Sequence, residues 1–88
     1  MIVVCEVVFK GRVQGVGFRY TARDMARARD ITGWVMNRPD GSVQLLAEGE
    51  GAKVDELISG LSDHFYVQEK QVVRSAVRLG LTDFLVKY

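Results

Sequence analysis

The chain has one cysteine and one histidine among its 88 residues, and each scarcity removes a class of chemistry. Without a second thiol there is no disulfide framework, and without a Cys/His cluster there is no zinc-ligand spacing. Cys5 lies in an apolar run and is expected in the core. No apolar stretch approaches the ~18 residues needed to span a bilayer. The N-terminus also lacks the basic region and small-residue cleavage site of a secretion signal, so a soluble cytoplasmic chain is expected. Repeats, linkers and low-complexity segments are missing as well. What remains is a single domain over residues 1–88, with one core and too little chain for a separate lid.

A strong net charge is missing too, at +1, but the balance hides an asymmetry. Between Lys10 and Arg38 stand seven basic residues (Lys10, Arg12, Arg19, Arg23, Arg27, Arg29, Arg38) and two acidic ones (Asp24, Asp30); the rest of the chain carries five and nine. Such a field draws a small anion or a nucleic-acid backbone. Arg23 and Arg27, four residues apart, fit the solvated face of a helix. Arg19 does not.

Ile2 to Lys10 alternates β-branched residues and reads as a central strand, with Val3, Cys5, Val7 and Phe9 on one face. Phe18, Ala22, Met25, Ala26 and Arg29 recur at helical spacing, which predicts an amphipathic helix from Arg19 to about Asp30. Two strands follow around Pro39, Asp40 and Gly41, the residues of a hairpin turn. Val54, Leu57, Ile58, Leu61 and Phe65 mark a second helix closing near His64. "EKQVVRSAVRLG" and "TDFLVKY" read as terminal strands with a bend at Gly80. The order is that of an α+β, ferredoxin-like split βαβ sandwich, with two helices on one face of a mainly antiparallel sheet of four to five strands. In that topology the first two strands are parallel with a third between them, so Asn37 and the loop after strand one reach the same sheet edge, roughly 10 Å apart.

That loop, "GRVQGVGFR" from Gly11 to Arg19, carries the chemistry. Glycines between a strand and a helix let successive N–H groups turn toward one point, and the helix adds its own free N–H groups and dipole. On glycine count alone, a phosphate socket and a plain change of direction stand level. The nucleotide-triphosphate ending Gly-Lys-Ser/Thr is absent, and the dinucleotide fingerprint fails at Tyr20. Arg19 favours the socket, since its planar fork at the first helical turn can clamp two oxygens.

Two segments resemble the motifs of the acylphosphatase family. Gly-x-Val-Gln-Gly-Val-x-Phe-Arg is matched by Gly11, Val13, Gln14, Gly15, Val16, Phe18 and Arg19. Gly-aromatic-Val-x-Asn-x-x-Asp-Gly-x-Val is matched by Gly33, Trp34, Val35, Asn37, Asp40, Gly41 and Val43. The likeness runs from the first strand through the second helix. Beyond it, where the family commonly carries Gly-Pro-Pro, this chain has Asp63-His64-Phe65-Tyr66-Val67-Gln68. The resemblance implies hydrolysis of small acyl phosphates to carboxylate and inorganic phosphate, with no metal or other cofactor. Arg19 would be the phosphate clamp and Asn37 the residue that orients water. Gln14, Gly15, Val16, Gly17, Phe18 and Arg19 would be the substrate-binding set, and inorganic phosphate would be product and inhibitor. A monomer without nucleic-acid or membrane partners is expected.

Other residues invite weaker readings. His64 suits a helix end better than a general base. Glu48, Glu50, Asp55 and Glu56 straddle a strand end and a helix start, where a solvated role is expected rather than a metal site. Trp34 reads as core, and Asp40 as a turn residue bonding its own backbone. The alternative class is a ferredoxin-like anion- or RNA-binding module without turnover, although Tyr20, Trp34 and Phe84 are not spaced as a stacking pair. A sensor that binds acyl phosphate without cleaving it is a third.

Overall fold

The structure is a computed structural model and describes residues 1–88. Its elements are β1 (Ile2–Arg12), α1 (Phe18–Arg27), β2 (Thr32–Asn37), β3 (Val43–Glu50), α2 (Gly51–His64), β4 (Tyr66–Ser75) and β5 (Phe84–Lys87). The sheet runs β4-β1-β3-β2-β5. β3 is antiparallel to both β1 and β2, so those two are parallel to each other, and β5 is parallel to β2. The C-terminal ends of β1, β2 and β5 therefore reach one edge of the sheet. Two helices on a five-stranded open sheet make the expected ferredoxin-like α+β sandwich.

Alternation selects the buried face: Cys5, Val7 and Phe9 of β1 lie beside Ala47, Leu45 and Val43 of β3. Against them pack Phe18, Ala22 and Ala26 of α1 and Val54, Leu57, Ile58 and Leu61 of α2, in one cluster of 17 buried residues. Burying such side chains, at about 1.5–3 kcal/mol each, is what holds the helices to the sheet. No helix is long and apolar enough to cross a membrane.

Four expectations need correction. β1 runs two residues further, to Arg12, because Gly11 and Arg12 pair with Val67 and Tyr66 across an irregularity in the ladder. Gly11 is obligatory there, since a Cβ would sit 2.4 Å from the Tyr66 carbonyl oxygen. α1 stops at Arg27 rather than about Asp30: Asp30 takes a positive φ of 55° and Ile31 N–H returns to the Ala26 carbonyl at 3.0 Å, a left-handed helix stop that turns Ile31 into the core. Trp34 is half-buried on the sheet face away from the helices, with the Lys87 ammonium 4.4 Å from its ring centroid, and is not a core residue.

The fourth correction is Glu48, which is buried rather than solvated. Its Oε2 accepts the N–H groups of Leu79, at 2.5 Å, and of Gly80, at 3.3 Å, and its Oε1 accepts that of Leu81 at 2.9 Å. These bonds take N–H groups that a ladder would need, so the strand expected to reach Gly80 ends at Ser75. The Leu79 N–H above all, with those of Leu81 and Gly80, holds the Glu48 pKa below its ordinary 4.5. A lowered folded pKa means that this stabilisation is complete above about pH 4.5 and is lost as pH falls through the folded value. Glu48→Ala should cost about 2 kcal/mol by leaving three donors unmatched. The melting-temperature gap between wild type and Glu48→Gln should narrow below pH 4.5, as scanning calorimetry across pH would read. A gap independent of pH would mean that the carboxylate charge plays no part.

Candidate functional site

The chain leaves β1 through buried Val13 and turns on two glycines in left-handed conformation, Gly15 (φ 73°) and Gly17 (φ 81°). Gly17 is the N-cap of α1, and no side chain caps that helix. A Cβ at either glycine would meet nothing within 4 Å, so it is the backbone conformation that calls for glycine, not crowding. The N–H groups of Gly15, Val16, Gly17, Phe18 and Arg19 have no acceptor in the protein. Five consecutive donors on a left-handed turn feeding a helix N-terminus form a nest for an oxyanion.

Arg19 stands in the first turn of α1, and β5 holds it in place. Its Nη1 donates to the Lys87 carbonyl at 3.2 Å, and the guanidinium carbon lies 4.9 Å from the Tyr88 ring centroid. The Tyr88 hydroxyl in turn hydrogen-bonds the Tyr20 hydroxyl, which raises the Tyr88 pKa above its ordinary value. No carboxylate pairs with Arg19, so the remaining guanidinium donors are free for a ligand.

Across the sheet edge, β2 ends at Asn37, whose Oδ1 is buried without a hydrogen-bond partner. An unsatisfied buried acceptor costs roughly 1–3 kcal/mol, so its position needs a reason. Asn37 lines a cavity of about 90 Å³ together with Val13, Gly15, Gly17, Phe18, Arg19 and Tyr20. Liquid water occupies about 30 Å³ per molecule, so the space suits one phosphoryl group and a water. Charge-assisted donors on one side and an acceptor for a water O–H on the other can bind a tetrahedral oxyanion and aim a nucleophile at it.

Of the residues expected at the site, Gly15, Gly17, Phe18, Arg19 and Asn37 thus share one cavity. Gln14 lies outside it: its Nε2 donates to the Arg38 carbonyl at 2.8 Å and the Ser42 carbonyl at 2.9 Å, which ties the loop to the β2–β3 turn. The Val16 side chain faces solvent. Asp40 accepts from Ser42 Oγ at 2.5 Å and Ser42 N–H at 3.0 Å, which lowers its pKa and fixes the turn. His64 lies edge-on to Phe65, ring centroids 4.7 Å apart, away from the cavity wall. Lys87 and Tyr88 were not foreseen, because only the parallel pairing of β5 with β2 brings them to this edge. The one available signal was a tyrosine at the end of a strand pattern that closes the sheet.

The acylphosphatase family model matches residues 5–78. An acylphosphatase of Oceanobacillus iheyensis is 44% identical over 94% of this chain and 96% of its own length. One of Acaryochloris marina is 49% identical over 65% of this chain and 61% of that protein. The crystal structure of acylphosphatase from Bacillus subtilis superposes with a TM-score of 0.93 at 34% identity, covering 98% of this chain and 99% of that one.

If the Tyr88 ring holds the guanidinium of Arg19 in place, Tyr88→Ala should weaken inorganic phosphate binding about threefold to tenfold, while Tyr88→Phe, which keeps the stacking face, should change it less. Titration calorimetry with both variants reads this directly. Equal affinities in wild type and Tyr88→Ala would show that the ring is a bystander.

Proposed function

The chain belongs to the acylphosphatase family, a family of enzymes, and from that premise we propose that it hydrolyses the carboxyl-phosphate bond of small acyl phosphates with its own backbone amides, Arg19 and Asn37. The carrying observation is that Arg19, whose guanidinium has no carboxylate partner, and Asn37, whose Oδ1 has no hydrogen-bond partner, line one cavity of about 90 Å³. The N–H groups of Gly15 to Arg19 and the Arg19 fork hold the non-bridging phosphoryl oxygens. Asn37 Oδ1 accepts one O–H of a water and points the water oxygen at phosphorus.

As the water oxygen bonds to phosphorus, the bridging P–O bond breaks and the carboxylate leaves with the electron pair. The leaving group is good, so it needs no acid. The amide of Asn37 cannot take a proton, and the water proton passes to a phosphoryl oxygen or to solvent. What the protein supplies is position and a preorganised field for the charge on the equatorial oxygens. That charge is already met by amides and a guanidinium, so a divalent ion has no task in this scheme, and inorganic phosphate, the product, inhibits competitively.

Asn37→Ala should lower kcat on the order of 10²-fold with phosphate affinity nearly unchanged, because the water contact matters only as the transition state forms. Arg19→Lys should lose activity heavily despite keeping its charge, since a point charge cannot replace the bidentate fork. Steady-state kinetics on benzoyl phosphate, with circular dichroism to establish folding, decides both. A folded Asn37→Ala protein with wild-type kcat would remove the water-orienting role. Turnover in excess chelator should equal that without it; loss of activity restored by a divalent ion would overturn the metal-free scheme.

A further inference from the structure

Both helices pack on the sheet face that carries Cys5, Val7 and Phe9, and the opposite face is left without a helix. The loop after β4 covers one end of it, where Leu79, Gly80 and Leu81 bond Glu48 and the neighbouring Val4 is buried. Beyond that end the ladder registers set one row across all five strands: Val73 of β4, Glu6 of β1, Leu46 of β3, Trp34 of β2 and Leu85 of β5. Two residues along each strand the next row is Gln71, Val8, Gln44, Met36 and Lys87. Val73 is 68% exposed and Leu85 51%. Apolar side chains that form a continuous band, rather than lying scattered, mark a surface with a partner.

Only two charges stand in these rows, Glu6 and Lys87, and neither has a salt-bridge partner within the chain. The Lys87 ammonium rests 4.4 Å from the Trp34 ring centroid. β3 is the middle strand, with Glu6 on β1 to one side of it and Trp34 and Lys87 on β2 and β5 to the other.

We propose that this open face binds a second copy of the chain, in an isologous dimer whose two-fold axis runs along β3. A half-turn about that axis lays one sheet on the other with their strands aligned, β1 over β2 of the partner subunit and β4 over its β5. Leu46 then meets its own copy on the axis, Val73 meets Leu85, Val8 meets Met36, and Glu6 meets the Lys87–Trp34 pair, each contact occurring twice except the one on the axis. A second copy fits this face because the apolar middle matches itself and each unpaired charge finds its opposite. Five strands about 4.8 Å apart and two rows of about 6.7 Å give a strip of roughly 24 by 13 Å, below the standard interface of about 800 Å² per partner, so the dimer is weak and concentration-dependent.

Sedimentation equilibrium at low salt, from about 1 µM to about 1 mM protein, should show the wild type passing from monomer to dimer with a dissociation constant on the order of 10–100 µM. Glu6→Lys and Lys87→Glu should each weaken the dimer at least tenfold, since each sets like charges together. Mixed in equal amounts, the two variants should form a heterodimer of about wild-type affinity, because one then carries cations at both positions and the other carboxylates at both. Leu46→Glu, which opposes two carboxylates on the axis, should be monomeric throughout. Melting temperatures check that each variant is folded, and the Glu6→Lys/Lys87→Glu double variant, which restores the match within one chain, should dimerise again. A wild type that stays monomeric at about 1 mM overturns the inference. A dimer that persists in Glu6→Lys and Leu46→Glu overturns it as well and puts the contact elsewhere, as at the free edge of β4. Single variants that remain monomeric when mixed, with a double variant that does not recover, overturn the pairing of Glu6 with Lys87 and the axis drawn from it.

Discussion

The two hydrogen bonds from the Gln14 amide, to the carbonyls of Arg38 and Ser42, join the parts on which the site depends. One part is the glycine loop that follows β1 and the other is the turn that follows β2. β3 lies between those strands, so no ladder bond connects the loop to the turn, and the sheet alone sets only their rough separation. A side-chain amide with two donors fills that gap, and its partly buried position shields both bonds from competition with water. Asn37 sits immediately before Arg38, so the same pair of bonds helps set the distance from the loop's free N–H groups to the Asn37 amide. Positioning chemistry is sensitive to displacements of about 1 Å, which makes Gln14 a geometric part of the site although it lies outside the cavity.

The second constraint is electrostatic. An acyl phosphate needs little bond-breaking help, so its catalyst can consist of fixed dipoles and one cation. Water-filled space would screen such groups, but Gly15, Gly17, Phe18 and Arg19, whose N–H groups have no acceptor in the protein, line a cavity of about 90 Å³ with the Arg19 side chain already held by β5. The charge elsewhere along α1 and the turn after it is neutralised locally: Arg23, Arg27 and Arg29 each have a carboxylate. Pairing these three leaves the unpaired positive charge of the first half of the chain at the sheet edge that holds the cavity.

Where chemistry dictates local pattern, the sequence was readable. Patterns such as the β-branched alternation of β1, the apolar stripe of α2 and the Pro39-Asp40-Gly41 turn placed five strands and two helices in the right order, and parallel β1 and β2 then brought Arg19 and Asn37 together. Contacts set by distant parts of the chain were not readable. The carboxylate of Glu48 finds its donors 31 to 33 residues away, so its burial follows from a loop whose path no local pattern specifies. The Lys87 carbonyl reaches Arg19 across 68 positions, with Tyr88 beside it, through the pairing of β5 with β2, which local periodicity does not reveal. Trp34 alternates correctly for a strand, but which face of an open sheet its parity selects depends on where the helices pack.

The two edges of the sheet carry opposite loads. At the site edge, α1 begins without a side-chain cap, two residues hold left-handed conformations, five N–H groups lack acceptors and Asn37 Oδ1 is orphaned. Of these, the buried Asn37 Oδ1 costs folding free energy, whereas the two glycines take their conformation without strain and the N–H groups of the exposed loop stay open to solvent or a ligand. At the far edge the corresponding groups are matched: Glu48 caps the 79–81 backbone, Arg27 bonds Asp83 and the Phe84 carbonyl, and Gly33 N–H bonds the Asp83 carbonyl at 2.9 Å. β5 connects the two edges. It starts at the fully buried Phe84 beside those caps and, at its last residue, offers the Lys87 carbonyl to Arg19. The strand is short and pairs on one side only, so its register at the site edge is held chiefly by its anchoring at the far one. The placement of the Arg19 guanidinium is thereby linked to a buried carboxylate at the opposite end of the sheet, and stability at that end supports the unsatisfied groups of the cavity.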